Sequence, residues 1–540
     1  MSSSTAAERF YTIVELLALT CAHLDPHHFR VLARTSHHNY DRFNNDGWRR
    51  LDGIGNLLTI LEDRLGRPAR ARGTHVTNIP SMTSVPAARK ARFLLLCPAV
   101  EELNVYSNPD RWTIWQGWRH LLELVEGTND VLFPALRYVT IRVNGTQKIV
   151  FNDMASVLTG PQLAAFLVQP GVMSSYTACE PADASLTLRT LRGTIARPYN
   201  GLTSLSLSPD SSAGSAGLRN LFIDELRPLL PRLSYLAISH WLLRPALIQL
   251  LSSSIIQHLV IHGRFAVDAE DLGGLANLAM PQSPFVCLRT LELKHIPLED
   301  TARILSTPGL LSHVTALRVA AQPVTDLDAM DGAEYLTLFN LVAEAPHLVR
   351  LVIVARQDEL DEPFCLSKVM IDQLTKMPLE VLRLYNFALP LPQGFGFFHP
   401  VAWPSWQCLK QLSVLRQNLT PEDLILFAGY PHLSHLSANV SAVLGRSHNQ
   451  AIAKHFGCQL TLGTRFEWTG DELSATDKKR IVTRIAHIFL QTCPSGLHLD
   501  IDRRFRRGNQ KDERDALWAN TIIKELRQLG LTTHQFVQLT

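Results

Sequence analysis

The stretch Leu348-Val349-Arg350-Leu351-Val352-Ile353 decides how this chain is read. Its first, fourth and sixth positions are apolar and the residues between them are free to vary. Alternation from the fourth position onward is the signature of a short strand with one face buried. The same spacing recurs at Val100/Leu103/Val105, Leu136/Val139/Ile141, Leu202/Leu205/Leu207, Leu218/Leu221/Ile223, Leu233/Leu236/Ile238 and Ile256/Leu259/Ile261. It returns at Leu288/Leu291/Leu293, Val314/Leu317/Val319, Leu379/Leu382/Leu384, Leu409/Leu412/Val414 and Leu433/Leu436/Ala438. The template is loose, and chance would supply roughly ten hits in so apolar a chain. Two observations carry more weight. Five copies have a proline two residues ahead of the first apolar position (Pro98, Pro134, Pro231, Pro346 and Pro431). The last six copies begin at residues 288, 314, 348, 379, 409 and 433, a mean spacing of 29.

Helical patterns lie between these segments. Tyr335, Phe339 and Val342 fall at i, i+4, i+7, and Thr420-Pro421-Glu422-Asp423 reads as an N-cap with proline at the first helical position. With 86 leucines in 540 residues, a period of this length resembles the leucine-rich repeat. The resemblance implies an α/β solenoid with parallel strands on a concave face and helices on a convex one, each repeat burying its apolar side against its neighbours. The family's asparagine position matches Asn108 and Asn144 in the first two copies and is then lost. The repeats are expected over 93–460, with no clear copy in 142–201. A mostly helical cap is expected over 461–540, with helices near 478–490 and 515–529 and one weak strand centred on Leu499.

The first 65 residues follow another pattern. Ile13, Leu16, Leu17 and Leu24 share a helical face, Asp25-Pro26 ends that helix, and Phe29 and Leu32 mark a second. Phe43, Trp48 and Leu51 suggest a third, and Leu57, Leu58, Leu61 and Leu65 a fourth. A module this small needs a partner to cover its apolar faces. Ile13-Val14-Glu15, His23-Leu24-Asp25, Pro26 to Arg34 and Trp48-Arg49-Arg50-Leu51 resemble, in order and without a gap, the F-box of fungal proteins. Val14 stands where the family has proline, and Asn39 where it has an aromatic residue. The resemblance implies a module at 8–65 that binds a SKP-type adaptor, and through it a cullin, using Ile13, Val14, Leu16, Leu17, Leu24, Phe29, Leu32 and Trp48. A plain helical cap on the repeats is the alternative. Residues 66–92, basic and broken by Pro68, Pro80 and Pro86, read as a linker.

Composition narrows the function. The net charge of +3 gives no reason to expect a general nucleic-acid binder. The eight cysteines are scattered without a CxxC, as in an intracellular chain with reduced thiols. No run is long enough to span a membrane. No nucleophile elbow, phosphate loop or zinc helix occurs, so neither an enzyme nor a cofactor or metal is expected. By resemblance the chain is a cytoplasmic or nuclear substrate-recognition subunit of a cullin–RING ubiquitin ligase; a repeat scaffold without a ubiquitin role is the alternative. If the first apolar residue of each copy is position zero, positions two, four and six project from the strand face. Arg318, Arg350 and Arg383 then converge, with Tyr385 beside them, as candidate substrate-binding residues for carboxylate or phosphate groups.

Overall fold

The computed structural model describes residues 28, 47–61, 75–106, 113–126, 131–143, 150–170, 180–195, 201–209, 216–263, 275–321, 332–355, 364–389, 406–419, 430, 432–440, 459–463 and 497–500. The chain forms two compact units, Met1–Ile256 and Gln257–Thr540. The strands of the first are β1 (Arg50–Asp52), β2 (His75–Asn78), β3 (Glu102–Asn104), β4 (Thr113–Gln116), β5 (Tyr138–Val143), β6 (Ala165–Pro170), β7 (Ser204–Ser206) and β8 (Tyr235–Ser239). They pair in parallel in the order β1-β3-β5-β6-β7-β8, while β2 and β4 make a separate parallel pair.

The second unit holds β9 (His258–His262), β10 (Thr290–Ile296), β11 (Ala316–Ala321), β12 (Arg350–Val354), β13 (Phe364–Cys365), β14 (Val381–Tyr385), β15 (Phe387–Ala388), β16 (Gln411–Leu419), β17 (His435–Val440), β18 (Gln459–Gly463) and β19 (Leu497–Asp500). Here too the main sheet is parallel, with successive neighbours β9-β10-β11-β12-β14-β16-β17-β18-β19.

Parallel neighbours require a crossover, and among the described residues helices supply several of them. In the first unit these are Phe151–Leu158, Pro181–Ile195 and Ala216–Leu226; in the second, Leu298–Leu305, Gly332–Ala343 and Lys368–Thr375. Each turns an apolar stripe toward the sheet: Tyr335, Leu338, Phe339 and Val342 are buried on Gly332–Ala343, as their helical spacing predicts. A cluster of rings extends that layer, with Tyr335 edge-on to Phe387 at 5.2 Å and Phe364 edge-on to Phe387 at 5.9 Å.

The core is a row of side chains in exact register. Leu51, Leu103, Val139, Phe166, Leu205 and Leu236 are successive Cα partners in the first unit. Leu259, Leu291, Leu317, Leu351, Leu382, Leu412 and Leu436 are so in the second. None is more than 2% exposed. One strand per repeat, with the same position of each repeat stacked in one buried row, is the leucine-rich-repeat architecture.

The sequence expectation is corrected at four places. Leu218, Leu221 and Ile223 lie in the helix Ala216–Leu226, not in a strand. The segment 142–201, expected to hold no clear copy, contributes β6, with Leu163, Phe166 and Val168 buried in the repeat positions. The main sheet of the first unit begins at Arg50 and that of the second continues through β18 and β19, so repeat structure reaches beyond both ends of 93–460. In β19, Leu497 rather than Leu499 takes the central position, opposite Leu460. The expected helices near 478–490 and 515–529, the cap at Thr420, and Asn108 and Asn144 lie outside the described residues.

Candidate protein-binding surface

Along β10 and β12, and through the middle of β11 and β14, the buried residues alternate with residues on the other face of the sheet. The pattern along β10, β11, β12 and β14 places Leu291/Leu293, Leu317/Val319, Leu351/Ile353 and Leu382/Leu384 inside. The open face therefore carries Thr290, Glu292 and Lys294 from β10, Ala316, Arg318 and Ala320 from β11, and Arg350, Val352 and Val354 from β12. Val381, Arg383 and Tyr385 follow from β14.

Register brings the predicted arginines together. Arg318 and Arg383 are both Cα partners of Val352, one on each side. Arg350 stands two residues before Val352 on the middle strand, so it projects from the same face. All three arginines are exposed, while Val352 is half-buried between them. Tyr385, half-buried, is the partner of Val354 and follows Arg383 on the same face. Among the described residues, none is hydrogen-bonded or ion-paired to the guanidinium group of Arg318 or of Arg350. Arg383 makes one long contact, Nη2 donating to Gln411 Oε1 at 3.5 Å.

The nearest acid on this face is already committed. Glu292 is the Cα partner of Arg318. Its Oε1 lies 3.0 Å from His258 Nε2, and its Oε2 lies 2.7 Å from Lys294 Nζ. The His258 hydrogen bond leads in holding this carboxyl down to about 2, with Lys294 adding to it and burial opposing both. Beside it, burial pushes the His262 imidazole down to about 3, and the Lys294 charge works in the same direction. This corner is thus an internally compensated cluster, and among the described residues no acid answers the guanidinium groups of the arginines beyond it.

The sheet face of the first unit is different. Arg50 meets Glu102 at 2.6 Å, and Asn104 Nδ2 donates to Asp52 Oδ1 at 2.9 Å. Just ahead of the strands, Arg49 meets Glu101 at 2.9 Å. Charges on β1 and β3 are thus paired across strands.

Of the residues expected to bind an adaptor, Ile13, Val14, Leu16, Leu17, Leu24, Phe29 and Leu32 lie outside the described residues. Trp48 is described, and it stands three residues before Leu51, the place filled by Val100 before Leu103 and by Leu136 before Val139. It is half-buried there. The last four residues of the F-box-like order are thus also the first repeat position of the sheet. Proximity in sequence to Phe43 hid this, because the repeat that follows is 52 residues long, counted from Leu51 to Leu103, and breaks the period.

No family model matches the chain, and no curated protein does. Among solved structures, an internalin, InlF, from Listeria monocytogenes is similar over 63% of this chain and 82% of its own, at 13% identity and a TM-score of 0.30. A TLR13–ssRNA13 complex is similar over 74% of this chain, at 14% identity and a TM-score of 0.33; this chain spans 59% of the length of that one. With scores this low, the leucine-rich-repeat assignment rests on the chain's own register. No helix among the described residues is long and apolar enough to cross a membrane.

Proposed function

We propose that the chain is the substrate-recognition subunit of a cullin–RING ubiquitin ligase. Residues 11–51 dock on a SKP-type adaptor, and the open face of the repeat sheet holds a protein partner. The chain contributes no catalytic group; ubiquitin transfer follows from holding a partner's lysine near a charged conjugating enzyme. One observation carries the reading. The F-box-like order runs directly into β1, whose Arg50–Asp52 pairs in register with β3, so the end of that order is built into the repeat sheet. A motif whose last residues enter the sheet suits a function that depends on positioning. The reading implies residence in the cytoplasm or nucleus.

A repeat scaffold with no ubiquitin role is favoured by the same junction seen from the other side. Repeat packing by itself accounts for Trp48 and Leu51, which leaves the motif match to residues 11–34. A pull-down of the full chain with a SKP-type adaptor separates the two. The ligase reading expects a complex with the wild type and none with Leu17→Asp/Leu32→Asp, because a buried unpaired carboxylate is costly at each site. No complex with the wild type, or full binding by the double variant, would leave the scaffold reading.

A further inference from the structure

We propose that Arg318, Arg350 and Arg383 form a receptor for the phosphate of a phosphoserine or phosphothreonine in an extended segment of a partner protein. The proposal rests on reading this face as the protein-binding surface. Three features of the triangle carry it.

The first is distance. Arg318 and Arg383 flank β12 in one row, so their Cα atoms are about 10 Å apart, and Arg350 is displaced by two residues along the middle strand, about 7 Å. The point equidistant from all three Cα atoms is then roughly 5 Å from each, within the length of an arginine side chain. Val352 lies at the middle of one edge of this triangle and gives it an apolar floor with no competing acceptor.

The second is unspent capacity. Glu292, the acid nearest in register, is held by His258 and Lys294. The guanidinium groups of Arg318 and Arg350 have no described partner, and that of Arg383 has only the long contact to Gln411. Each guanidinium is a fork of donors suited to a pair of anionic oxygens. One carboxylate, with two oxygens and a single charge, occupies one fork. A phosphate monoester presents three terminal oxygens and close to two charges at neutral pH. It is the smallest common group that engages three forks at once.

The third is how local the charge is. On one side of the triangle the row continues to Glu292, and on the other to Ser413 and Ser437. A nucleic-acid track needs a run of cations along many phosphates, and here the row stops after three strands. Tyr385 and Val354, following on the same face, offer a surface for the side chain next to the modified residue.

The test uses the immobilised full chain and a degenerate peptide library with a fixed central phosphoserine or phosphothreonine. Matched libraries carry unmodified Ser/Thr or Glu at that place, and a 12-nucleotide single-stranded RNA serves as a fourth probe. The phosphorylated pool should be retained at least tenfold over the others. For the best phosphopeptide, Arg318→Gln, Arg350→Gln and Arg383→Gln should each weaken binding about tenfold, the scale of one charge-assisted contact. Arg350→Lys should recover only part of that loss. Arg92→Gln, an exposed arginine on the helix Ala87–Leu96, should change nothing. Equal retention of modified and unmodified pools would overturn the proposal, as would RNA binding tighter than the best phosphopeptide with the same arginine dependence. Partner proteins lost from the arginine variants without any phosphate preference would overturn the phosphate site while leaving the protein-binding face in place. Adaptor binding, measured separately, does not enter either outcome.

Discussion

A single leucine in the stacked row shows what each repeat contributes. Leu351 is fully buried and has Leu317 and Leu382 as Cα partners on the two neighbouring strands. Leu351→Ala removes apolar contact and leaves a cavity that two flanking repeats cannot both close. It should cost about 2–5 kcal/mol, read as a lower urea midpoint in far-UV circular dichroism. Glu292 makes the electrostatic counterpart. Its carboxyl titrates near 2 in the folded chain against an ordinary value of 4.5, so the folded state binds this proton less readily than the unfolded one does. The stabilisation is complete above about 4.5 and disappears as pH falls toward 2. Glu292→Gln removes it, so the urea midpoints of the variant and wild type should converge as pH is lowered from 5 to 2. A gap unchanged with pH would mean that the His258 and Lys294 contacts stabilise nothing through charge.

At the scale of the element, helices of adjacent repeats satisfy one another. The helix Phe151–Leu158 has no capping side chain of its own at Val150. Asp183, in the first turn of Pro181–Ile195, accepts instead from Phe151 N at 2.7 Å and Asn152 N at 3.0 Å. Burial raises the pKa of this carboxyl above its usual value, against the two amide hydrogen bonds that lower it. Asp183→Ala strips the orphan amides of their acceptor and should cost about 0.5–2 kcal/mol, with amide exchange at 151 and 152 accelerated first. The same scale explains the misread segment at Leu218. A spacing of three and then two is met by a strand but also, at its first step, by a helix, and Phe222, Ile223 and Leu226, not Leu221, are buried there. The missed β6 has the opposite cause. Phe166 fills the place of the central leucine, and a phenylalanine in a leucine-poor stretch carries no repeat signal until Val139 and Leu205 are seen beside it.

For the molecule as a whole, the described sheet of the first unit starts with β1 at Arg50, and the ligase reading makes residues 11–34 a surface separate from the repeat core. Leu17→Asp/Leu32→Asp should therefore leave the thermal unfolding of the repeats within 1–2 degrees of wild type, about what surface substitutions produce, while adaptor binding is lost. A large drop in the melting temperature would mean that the N-terminal helices serve the repeats as a cap. What the sequence by itself determined is the repeat: its period, its strand register from Leu288 to Ala438, and the burial of Leu317, Leu351, Leu382 and Leu412 in one layer. These follow from local periodicity, since a strand with one buried face must alternate. What only the tertiary structure decided is which ends join the array and which charges remain free. Leu51 and Leu497 became repeat positions because they pair with Leu103 and Leu460, 52 and 37 residues away. Among the described residues the arginine guanidinium groups meet no acid, because Glu292, which pairs in register with Arg318, is taken by His258 from one strand and Lys294 from its own. Pairing across strands is a property of neighbours in space, and a period in the chain carries no record of it.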